Sequence, residues 1–184
     1  MSTRDELVLR RIAIIVAMDR NGVIGYRGKL PWPKIPPDLQ WFRKHTMGNP
    51  IIMGRRTFTD GLSSRPLPFR TNIILTRNAS FEAPKVEGCV RATSFGQALQ
   101  LACQAANTHA DDTESMIFVI GGAEIYREAL PSAQFLYLTR IDAEYEGDTI
   151  FSGYNEREWQ RVQPVQLVQW KGTMLSFDIY RRCE

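Results

Sequence analysis

The first two thirds of the chain contain four short apolar segments in which polar and apolar residues do not alternate. Their sequences are IAIIVAM, IIM, NIILT and MIFVI, at residues 12–18, 51–53, 72–76 and 116–120. Strands that are buried on both faces have this composition, and the strands of parallel sheets are buried in this way. The pattern therefore predicts a buried, parallel sheet.

Stretches of helical character separate these segments, at residues 37–47, 94–107 and 122–130. Strands and helices that alternate are typical of an α/β fold. The pattern changes after residue 133, where residues 135–139, 159–170 and 174–181 are predicted as strands, with a turn at Lys171 and Gly172. We expect an antiparallel hairpin to close one edge of the sheet.

The composition is that of one ordinary globular domain. Of 184 residues, 43% are hydrophobic and 23% are charged, and the chain contains no internal repeat or long linker. A chain of this length can bury roughly 70% of its unfolded surface, so neither a disulfide nor a structural metal is needed. No apolar run approaches the ~20 residues that span a membrane.

Cysteine usage and net charge indicate the cellular compartment and the classes of partner that the protein can bind. The chain has three cysteines, Cys89, Cys103 and Cys183. Their odd number favours a reducing compartment, and their wide spacing gives no zinc or redox pattern. The N-terminal residues lack the order of a signal peptide, so a cytoplasmic protein is expected. A net charge of +3 without a basic cluster argues against nucleic acid but remains compatible with small anionic ligands.

Residues just after the predicted strands are candidates for ligand binding, because parallel α/β sheets bind ligands at the carboxyl ends of their strands. Gly121 and Gly122 follow the fourth segment and lead into a helix, where backbone N–H groups can approach an anion such as pyrophosphate. A plain tight turn is the alternative, since the GxGxxG pattern is absent.

Two basic clusters follow the second and third segments. Arg55, Arg56 and Thr57 come after one strand, and Thr76 and Arg77 come after the next. Guanidinium groups match phosphate oxygens, so two clusters suit a ligand with more than one phosphate. Each cluster taken singly is equally compatible with a solvated basic loop.

Asp38 is the acid of greatest interest. It lies in the segment PPDLQWF, where two prolines favour a helix start and Leu39 and Phe42 fall one turn apart. An aspartate in the first turn of a helix often serves only to stabilise that helix. The local pattern therefore leaves the function of Asp38 open.

Six ordered motifs resemble dihydrofolate reductase. They are VIGYRGKLPW, PPDLQWF, IIMGRRTF, RPLPFRTNIILTR, VIGGAEIY and LYLTRIDAEYEGDTIF, which begin at residues 23, 36, 51, 65, 119 and 136. Their order and approximate spacing match over about residues 10–182. The resemblance implies an extension at residues 1–9 and one domain at residues 10–184, with a mostly parallel eight-stranded sheet, an antiparallel C-terminal hairpin edge and helices on both faces.

The reaction implied by this resemblance is the NADPH-dependent reduction of 7,8-dihydrofolate to 5,6,7,8-tetrahydrofolate, for one-carbon and thymidylate metabolism. Hydride passes from C4 of NADPH to C6 of the substrate, and N5 receives a proton from water, not from His45 or His109. Asp38 pairs with N3 and the 2-amino group of the pterin, and Thr139 orients the carboxylate. The implied catalytic residues are Asp38, Thr139, Leu30 and Trp32, with no metal.

The substrate site implied by the resemblance is apolar around the pterin and basic at the glutamate tail. The residues are Ile15, Val16, Ala17, Asp38, Leu39, Phe42, Leu62, Leu67, Arg70, Ile120, Tyr126 and Thr139. Arg70 clamps the α-carboxylate of the tail, for which a planar guanidinium is suited. The backbone carbonyls of Ile15 and Ile120 face the 4-position of the pterin.

The NADPH site implied by the resemblance combines the basic clusters with the double glycine. The residues are Ala17, Ile24, Gly54, Arg55, Arg56, Thr57, Leu75, Thr76, Arg77, Ile120, Gly121, Gly122, Ala123, Glu124, Ile125 and Tyr126. Arg77 matches the position beside the adenosine 2′-phosphate, which favours NADPH over NADH.

Residues 21–32 correspond to the mobile active-site loop of the family, which closes to exclude water. Gly22, Gly25 and Gly28 give this loop the required backbone freedom, although a plain surface loop has the same composition. Asp148 matches an acid that tethers the loop in some bacterial members. An exposed aspartate without this role is the alternative.

Two other functions stay open at this point. A reductase of the same fold can act on another pterin or on a pyrimidine intermediate of riboflavin synthesis, but such a substrate has no glutamate tail for Arg70. The second alternative is a catalytically inactive folate- or nucleotide-binding module. Such a module would not need a suitable residue at every position of the site. The expected partners are dihydrofolate and antifolate small molecules, without nucleic acid or membrane, and the expected state is a monomer.

Overall fold

The computed structural model of the protein describes residues 11–107 and 116–183. The strands are β1 Ile12–Met18, β2 Val23–Gly25, β3 Ile51–Gly54, β4 Asn72–Leu75, β5 Cys89–Ala92, β6 Ile117–Val119, β7 Phe135–Ile141, β8 Thr149–Ile150, β9 Trp159–Arg161, β10 Gln166–Trp170 and β11 Thr173–Arg182. The helices are α1 Pro36–Thr46, α2 Phe95–Asn107 and α3 Ala123–Ala129, with a π-helical turn at Thr57–Gly61 and a 3₁₀ turn at Glu156–Glu158. The predicted extension at residues 1–9 lies outside the described residues.

The central sheet has the strand order β10, β11, β7, β1, β6, β3, β4, β5, and β9 pairs with the far end of β11. Every pairing from β7 to β5 is parallel. β11 runs antiparallel to both β7 and β10. The predicted α/β fold, with a mostly parallel sheet and an antiparallel C-terminal hairpin at one edge, is confirmed.

Alternate residues of the strands pack into two hydrophobic cores, one on each face of the sheet. On β1, Ile12 and Ile14 belong to one core, and Ala13 and Ile15 belong to the other. Helices α2 and α3 contribute residues to the first core, and α1 contributes Trp41 to the second. Because both faces are covered by helices, β1 has no polar alternation.

The predicted strand at residues 159–170 is in fact two strands. β9 pairs with the end of β11, where Arg161 lies opposite Tyr180, whereas β10 pairs with its beginning, where Gln166 lies opposite Phe177. Residues 162–165 form no strand. This segment contains Pro164, which has no backbone N–H to donate to a sheet. The prediction of one continuous strand was wrong for this reason.

Three short strands were not predicted. β5 has the sequence CVRA, and its four residues include a charged one, so it shows no apolar run. β2 and β8 have three and two residues and form a separate two-stranded sheet. Segments of this length are too short for a periodic pattern. They become strands because the surrounding fold brings their partners to them.

Candidate active site

A cleft of about 1180 Å³ opens at the carboxyl ends of β1, β3, β4 and β6. Pockets for one drug-sized ligand occupy roughly 300–1000 Å³. The cleft is therefore large enough for two ligands side by side. Its position agrees with the rule that parallel α/β sheets bind ligands at the carboxyl ends of their strands.

Asp38 lies in the first turn of α1, directly after Pro36 and Pro37, and its side chain lines the cleft. It is 9% exposed, and this burial raises the pKa of its carboxyl. A hydrogen bond with Thr139 on β7 acts in the opposite direction and favours the ionised form. The structure thus brings these two predicted catalytic residues together inside the cleft.

An apolar wall surrounds this carboxyl group. The predicted substrate-binding residues that line the cleft are Ile15, Val16, Ala17, Asp38, Leu39, Phe42, Leu62, Ile120, Tyr126 and Thr139. Trp41 also lines it, although the sequence analysis did not select it. Trp41 follows Asp38 by three residues, so helical spacing alone places it on the same side of α1.

Tyr126 of α3 connects the two halves of the cleft. Its hydroxyl donates a hydrogen bond of 2.8 Å to the backbone carbonyl of Ile15 on β1. Burial raises the pKa of Tyr126, and the nearby charge of Asp38 raises it further. The hydroxyl therefore stays protonated at neutral pH, and the Ile15 carbonyl already accepts one hydrogen bond from within the protein.

The double glycine forms the bend between β6 and α3, and the peptide between Gly121 and Gly122 is cis. Gly121 has φ +113°, and a Cβ there would lie 3.2 Å from the ring of Tyr126. The Gly121 carbonyl accepts a 2.7 Å hydrogen bond from the backbone N–H of Gly54 at the end of β3. A side chain at Gly121 would therefore strain the backbone and displace Tyr126.

Basic and hydroxyl-bearing residues form the other wall of the cleft. Every predicted cofactor-binding residue lines the cleft, and this wall carries Arg55, Arg56 and Thr57 after β3 and Thr76 and Arg77 after β4. Further lining residues, which the sequence analysis missed, are Asp60, Gly61, Asn78, Thr93, Ser94, Phe95 and Glu128. Thr93 and Ser94 directly follow β5, so recognising that short strand would have identified them.

Three predicted site residues do not line the cleft. Trp32 is buried in the core on the α1 side, where it packs edge-on against Tyr145 with ring centroids 5.7 Å apart. Leu67 is held through its backbone, because its N–H donates to Asn72 at 2.8 Å and its carbonyl accepts from Asn72 at 2.9 Å. Arg70 is the third.

Arg70 lies beside Phe42 and is not among the residues that line the cleft. Its Nη1 donates to the Thr46 hydroxyl at 2.9 Å, its Nε donates to the Pro68 carbonyl at 3.0 Å, and its guanidinium is 6.0 Å from the Phe42 ring. Burial lowers the pKa of Arg70, and the charge of Arg43 adds to this effect. The guanidinium is thus held in place from α1 and from its own loop.

The loop that follows β2 covers the mouth of the cleft, and we call residues 26–30 the lid. Asp148 tethers it, because one carboxylate oxygen accepts from the backbone N–H of Arg27 at 2.8 Å and its own N–H donates to the Gly25 carbonyl at 3.0 Å. The bond from Arg27 lowers the pKa of Asp148. The structure therefore favours the tethering role over a free surface aspartate.

Asp19 fixes the base of this loop and was not singled out in the sequence. It is 2% exposed, and one carboxylate oxygen accepts from the N–H groups of Asn21 and Val23, both at 2.8 Å. The other oxygen accepts from the N–H of Tyr145 at 2.9 Å. An aspartate directly after an apolar strand and before Asn-Gly is a recognised turn signal, which could have identified it.

His45 faces the core and is not among the residues that line the cleft. Its ring lies 4.2 Å from that of Trp41 and 4.8 Å from that of Tyr137. Burial lowers the pKa of His45 to about 4, so it is neutral at physiological pH. This agrees with the expectation that His45 supplies no catalytic proton, while His109 lies outside the described residues.

A profile of the dihydrofolate reductase family matches residues 11–182. The chain belongs to the dihydrofolate reductase family. Among its relatives, the dihydrofolate reductase of Haemophilus influenzae is 40% identical over 172 residues, which cover 94% of this chain and 89% of the relative. The type 3 dihydrofolate reductase of Salmonella typhimurium is 42% identical over 152 residues, covering 83% and 85%.

The solved structure of dihydrofolate reductase from Enterococcus faecalis, complexed with NADP(H) and RAB-propyl, has the same fold. It superposes with a TM-score of 0.79 at 34% identity and covers 96% of this chain and 98% of that one. The family, the fold, the enzyme class and the NADPH cofactor expected from the sequence are thereby confirmed. No helix among the described residues is long and apolar enough to cross a membrane.

Proposed function

We propose that this chain reduces 7,8-dihydrofolate to 5,6,7,8-tetrahydrofolate with NADPH, for one-carbon and thymidylate metabolism. The observation that carries the proposal is the buried Asp38 carboxyl, hydrogen-bonded with Thr139 inside an apolar wall, in a cleft whose other wall is basic. A buried carboxylate suits a flat ring with two adjacent N–H donors. A basic wall suits the phosphates of a dinucleotide.

Asp38 binds and orients the pterin. Its two oxygens accept from N3 and the 2-amino group, and parallel hydrogen bonds to a carboxylate fix the plane of the ring. Thr139, 1% exposed, limits the rotation of the carboxyl. Because Asp38 occupies the N3 edge, it does not reach N5, and a water molecule delivers the proton there.

The basic wall fits NADPH. Arg55, Arg56 and Thr57 offer guanidinium and hydroxyl donors after β3, and Thr76 and Arg77 offer the same groups after β4, so two phosphate sites are available. Arg77 pairs with the 2′-phosphate. Bound NADPH supplies the hydride from C4 to C6 of the substrate. The chain contributes alignment of the two ligands and removal of water.

Arg70 binds the α-carboxylate of the glutamate tail at the outer end of the substrate wall. Two hydrogen bonds inside the protein hold its guanidinium, and it lies against Phe42, which lines the cleft. A cation that is already oriented loses little freedom when a carboxylate binds. Leu30, which is 54% exposed at the edge of the lid, covers the reacting rings when ligands are present.

Trp32 and Leu67 support the site from outside the cleft. Trp32 packs against Tyr145 and closes the end of the loop that carries the lid. Leu67 is bonded twice to Asn72 and sets the path of the segment that leads to Arg70. We assign both residues a positioning role in this reaction.

The test follows the absorbance of NADPH with matched substrates. Rapid oxidation with dihydrofolate, and slow oxidation with a dihydropterin that lacks the tail or with a pyrimidine intermediate of riboflavin synthesis, is the expected result. Oxidation only with the pyrimidine would instead support the alternative reductase. Tight binding of both ligands without oxidation would support a binding module.

We also infer that the protein is a cytoplasmic monomer that binds antifolate diaminopyrimidines at Asp38. Three cysteines in odd number favour a reducing compartment, and the amidine edge of such inhibitors matches the carboxylate. Light scattering coupled to size exclusion should give the mass of one chain, 21.1 kDa. A mass of twice that value would contradict the monomer.

A further inference from the structure

Two acidic side chains of α3 lie beside the basic wall of the cleft. Glu124 and Glu128 both line the cleft, and both are exposed. They are four residues apart, so they lie one turn apart on the same side of the helix. A wall whose expected ligand is a dinucleotide with several phosphates is thus bordered by negative charge, which no step of the proposed reaction uses.

The start of α3 meets the phosphate-binding residues that follow β3. A Cβ at Gly122 would lie 3.4 Å from the hydroxyl oxygen of Thr57, and a Cβ at Gly54 would lie 3.1 Å from the side chain of Ile125. Glu124 comes between these contact residues of α3, in the first turn of the helix. It therefore borders the place where the Thr57 hydroxyl and the double glycine would hold a pyrophosphate.

The charge of Glu124 is not neutralised by a cation within the described part of the chain. No ion pair there joins it to Arg55 or Arg56, the two guanidinium groups after β3. The simplest role for a carboxylate in the first turn of a helix is to stabilise that helix. This role alone makes no use of the cleft and predicts no gain in ligand affinity when the charge is removed.

We propose that Glu124 repels the pyrophosphate of the cofactor and so limits the affinity of the basic wall, which lets the oxidised cofactor leave. Charges in solution act on each other over about 10 Å at 0.1 M salt, so a carboxylate that borders the pyrophosphate is only partly screened from it. The inference rests on the proposed function, which places a dinucleotide on this wall. Glu124 weakens every cofactor that contains a pyrophosphate, whereas Arg77 acts on NADPH alone.

The test varies the charge at residue 124. Dissociation constants of NADPH and NADH are measured without dihydrofolate for Glu124→Asp, Glu124→Gln and Glu124→Lys, at about 0.1 M and about 1 M salt. Glu82→Gln is the matched control, because Glu82 is an exposed carboxylate that is not among the residues lining the cleft. Adenosine 2′-phosphate is a second probe, since it carries the phosphate expected at Arg77 but contains no pyrophosphate.

Removal of the charge should tighten the binding of both cofactors. At about 0.1 M salt, Glu124→Gln should lower both dissociation constants about fourfold, and Glu124→Lys should lower them about tenfold, because it replaces a repulsion with an attraction. Glu124→Asp keeps the charge and should stay within about twofold of the wild type. At about 1 M salt the screening distance is about 3 Å, so these ratios should fall towards one. Glu82→Gln should change neither constant by more than about 1.5-fold, and Glu124→Gln should leave adenosine 2′-phosphate binding within the same limit.

Unchanged cofactor binding in Glu124→Gln would overturn the inference and leave only the helix-stabilising role. Weaker binding would also overturn it, because the carboxylate would then accept a hydrogen bond from the cofactor. An equal gain for adenosine 2′-phosphate would show that the charge does not act on the pyrophosphate. Turnover tests the proposed function separately. A chain that bound NADPH without reducing dihydrofolate would contradict that function and would still show the effect of charge at residue 124.

Discussion

The two walls of the cleft are built differently. On the substrate wall, Asp38 and Thr139 are buried, at 9% and 1% exposure, among residues of the core. On the cofactor wall, Arg56 in the helical turn after β3 and Arg77 after β4 are exposed. One wall is therefore formed when the chain folds, whereas the other presents charge to solvent until a ligand arrives.

This difference separates two ways to bind a ligand. Burying Asp38 without a cationic partner in the protein costs folding free energy. A bound pterin offsets this cost by forming a charged pair of hydrogen bonds with the carboxylate. The exposed arginines cost little in folding, but each contributes less because solvent screens it. Substitutions on the substrate wall should therefore affect function most.

The largest expected effect is that of Asp38→Asn on catalysis. The amide cannot form the charged pair, so turnover at neutral pH should fall about 100-fold or more, while NADPH affinity stays nearly unchanged. Steady-state and cofactor-binding measurements check this. Asp142→Asn, which removes an exposed carboxylate paired with Arg20, is the matched control and should retain activity. A near-normal Asp38→Asn enzyme would place substrate recognition elsewhere.

A smaller effect is expected for Arg70→Leu, because its guanidinium is only half-buried. The variant should lose about 2 kcal/mol of dihydrofolate affinity, the low end for removing one partner of a desolvated charge pair. Trimethoprim-like diaminopyrimidines have no tail and should lose less than about 1 kcal/mol. Titration of both ligands gives a double difference, and parallel losses would mean that Arg70 only supports α1 through Thr46.

On the cofactor wall, Arg77→Gln should weaken NADPH about tenfold and leave NADH nearly unchanged. Only NADPH carries the 2′-phosphate, and a hydrogen bond to a charged group contributes roughly 1.5–3 kcal/mol before solvent screening. Fluorescence titration with both cofactors measures the ratio. An equal loss of affinity for NADPH and NADH would assign Arg77 to the pyrophosphate. Arg77 would then not distinguish the two cofactors.

The smallest effect is a gain in stability for Asp38→Asn, on the order of 1 kcal/mol at pH 7. Burial raises the folded-state pKa of Asp38 above its ordinary value of 3.8, so this group destabilises the fold as pH rises through the interval between the two pKa values. In urea unfolding, Asp38→Asn should be more stable than the wild type at neutral pH, and this difference should disappear below pH 3.8. A destabilised variant at pH 7 would mean that the ionised carboxylate is well satisfied by the protein itself.

The sequence predicts the long strands and the basic clusters of the cofactor wall, but not the shortest strands. Long apolar strands such as β1 and β7 are visible in the sequence because helices cover both faces of the sheet. β5 and the β2–β8 pair are not, because two to four residues carry no period. The basic clusters after β3 and β4 were found because the ends of parallel strands are known to meet.

The substrate wall and the lid show where local pattern is insufficient. Asp38 has the spacing of an ordinary helix-stabilising aspartate, and only the packing of β7 against β1 brings Thr139 to it. The place of Arg70 beside Phe42 depends on contacts with α1. Gly28 and Asp60 lie on separate segments, and a contact between them leaves no periodic pattern in the sequence.

The central claim is that one buried carboxyl, Asp38, controls the reaction at the pterin. Single-turnover hydride transfer measured against pH tests it most directly in the wild type and in Asp38→Asn. Water delivers the proton to N5, and the negative charge of Asp38 favours the protonated pterin. The wild-type rate should therefore rise as pH falls through the ionisation of the complex between Asp38 and the substrate, and the variant should lack this step. Two profiles that superimpose after scaling would contradict the account.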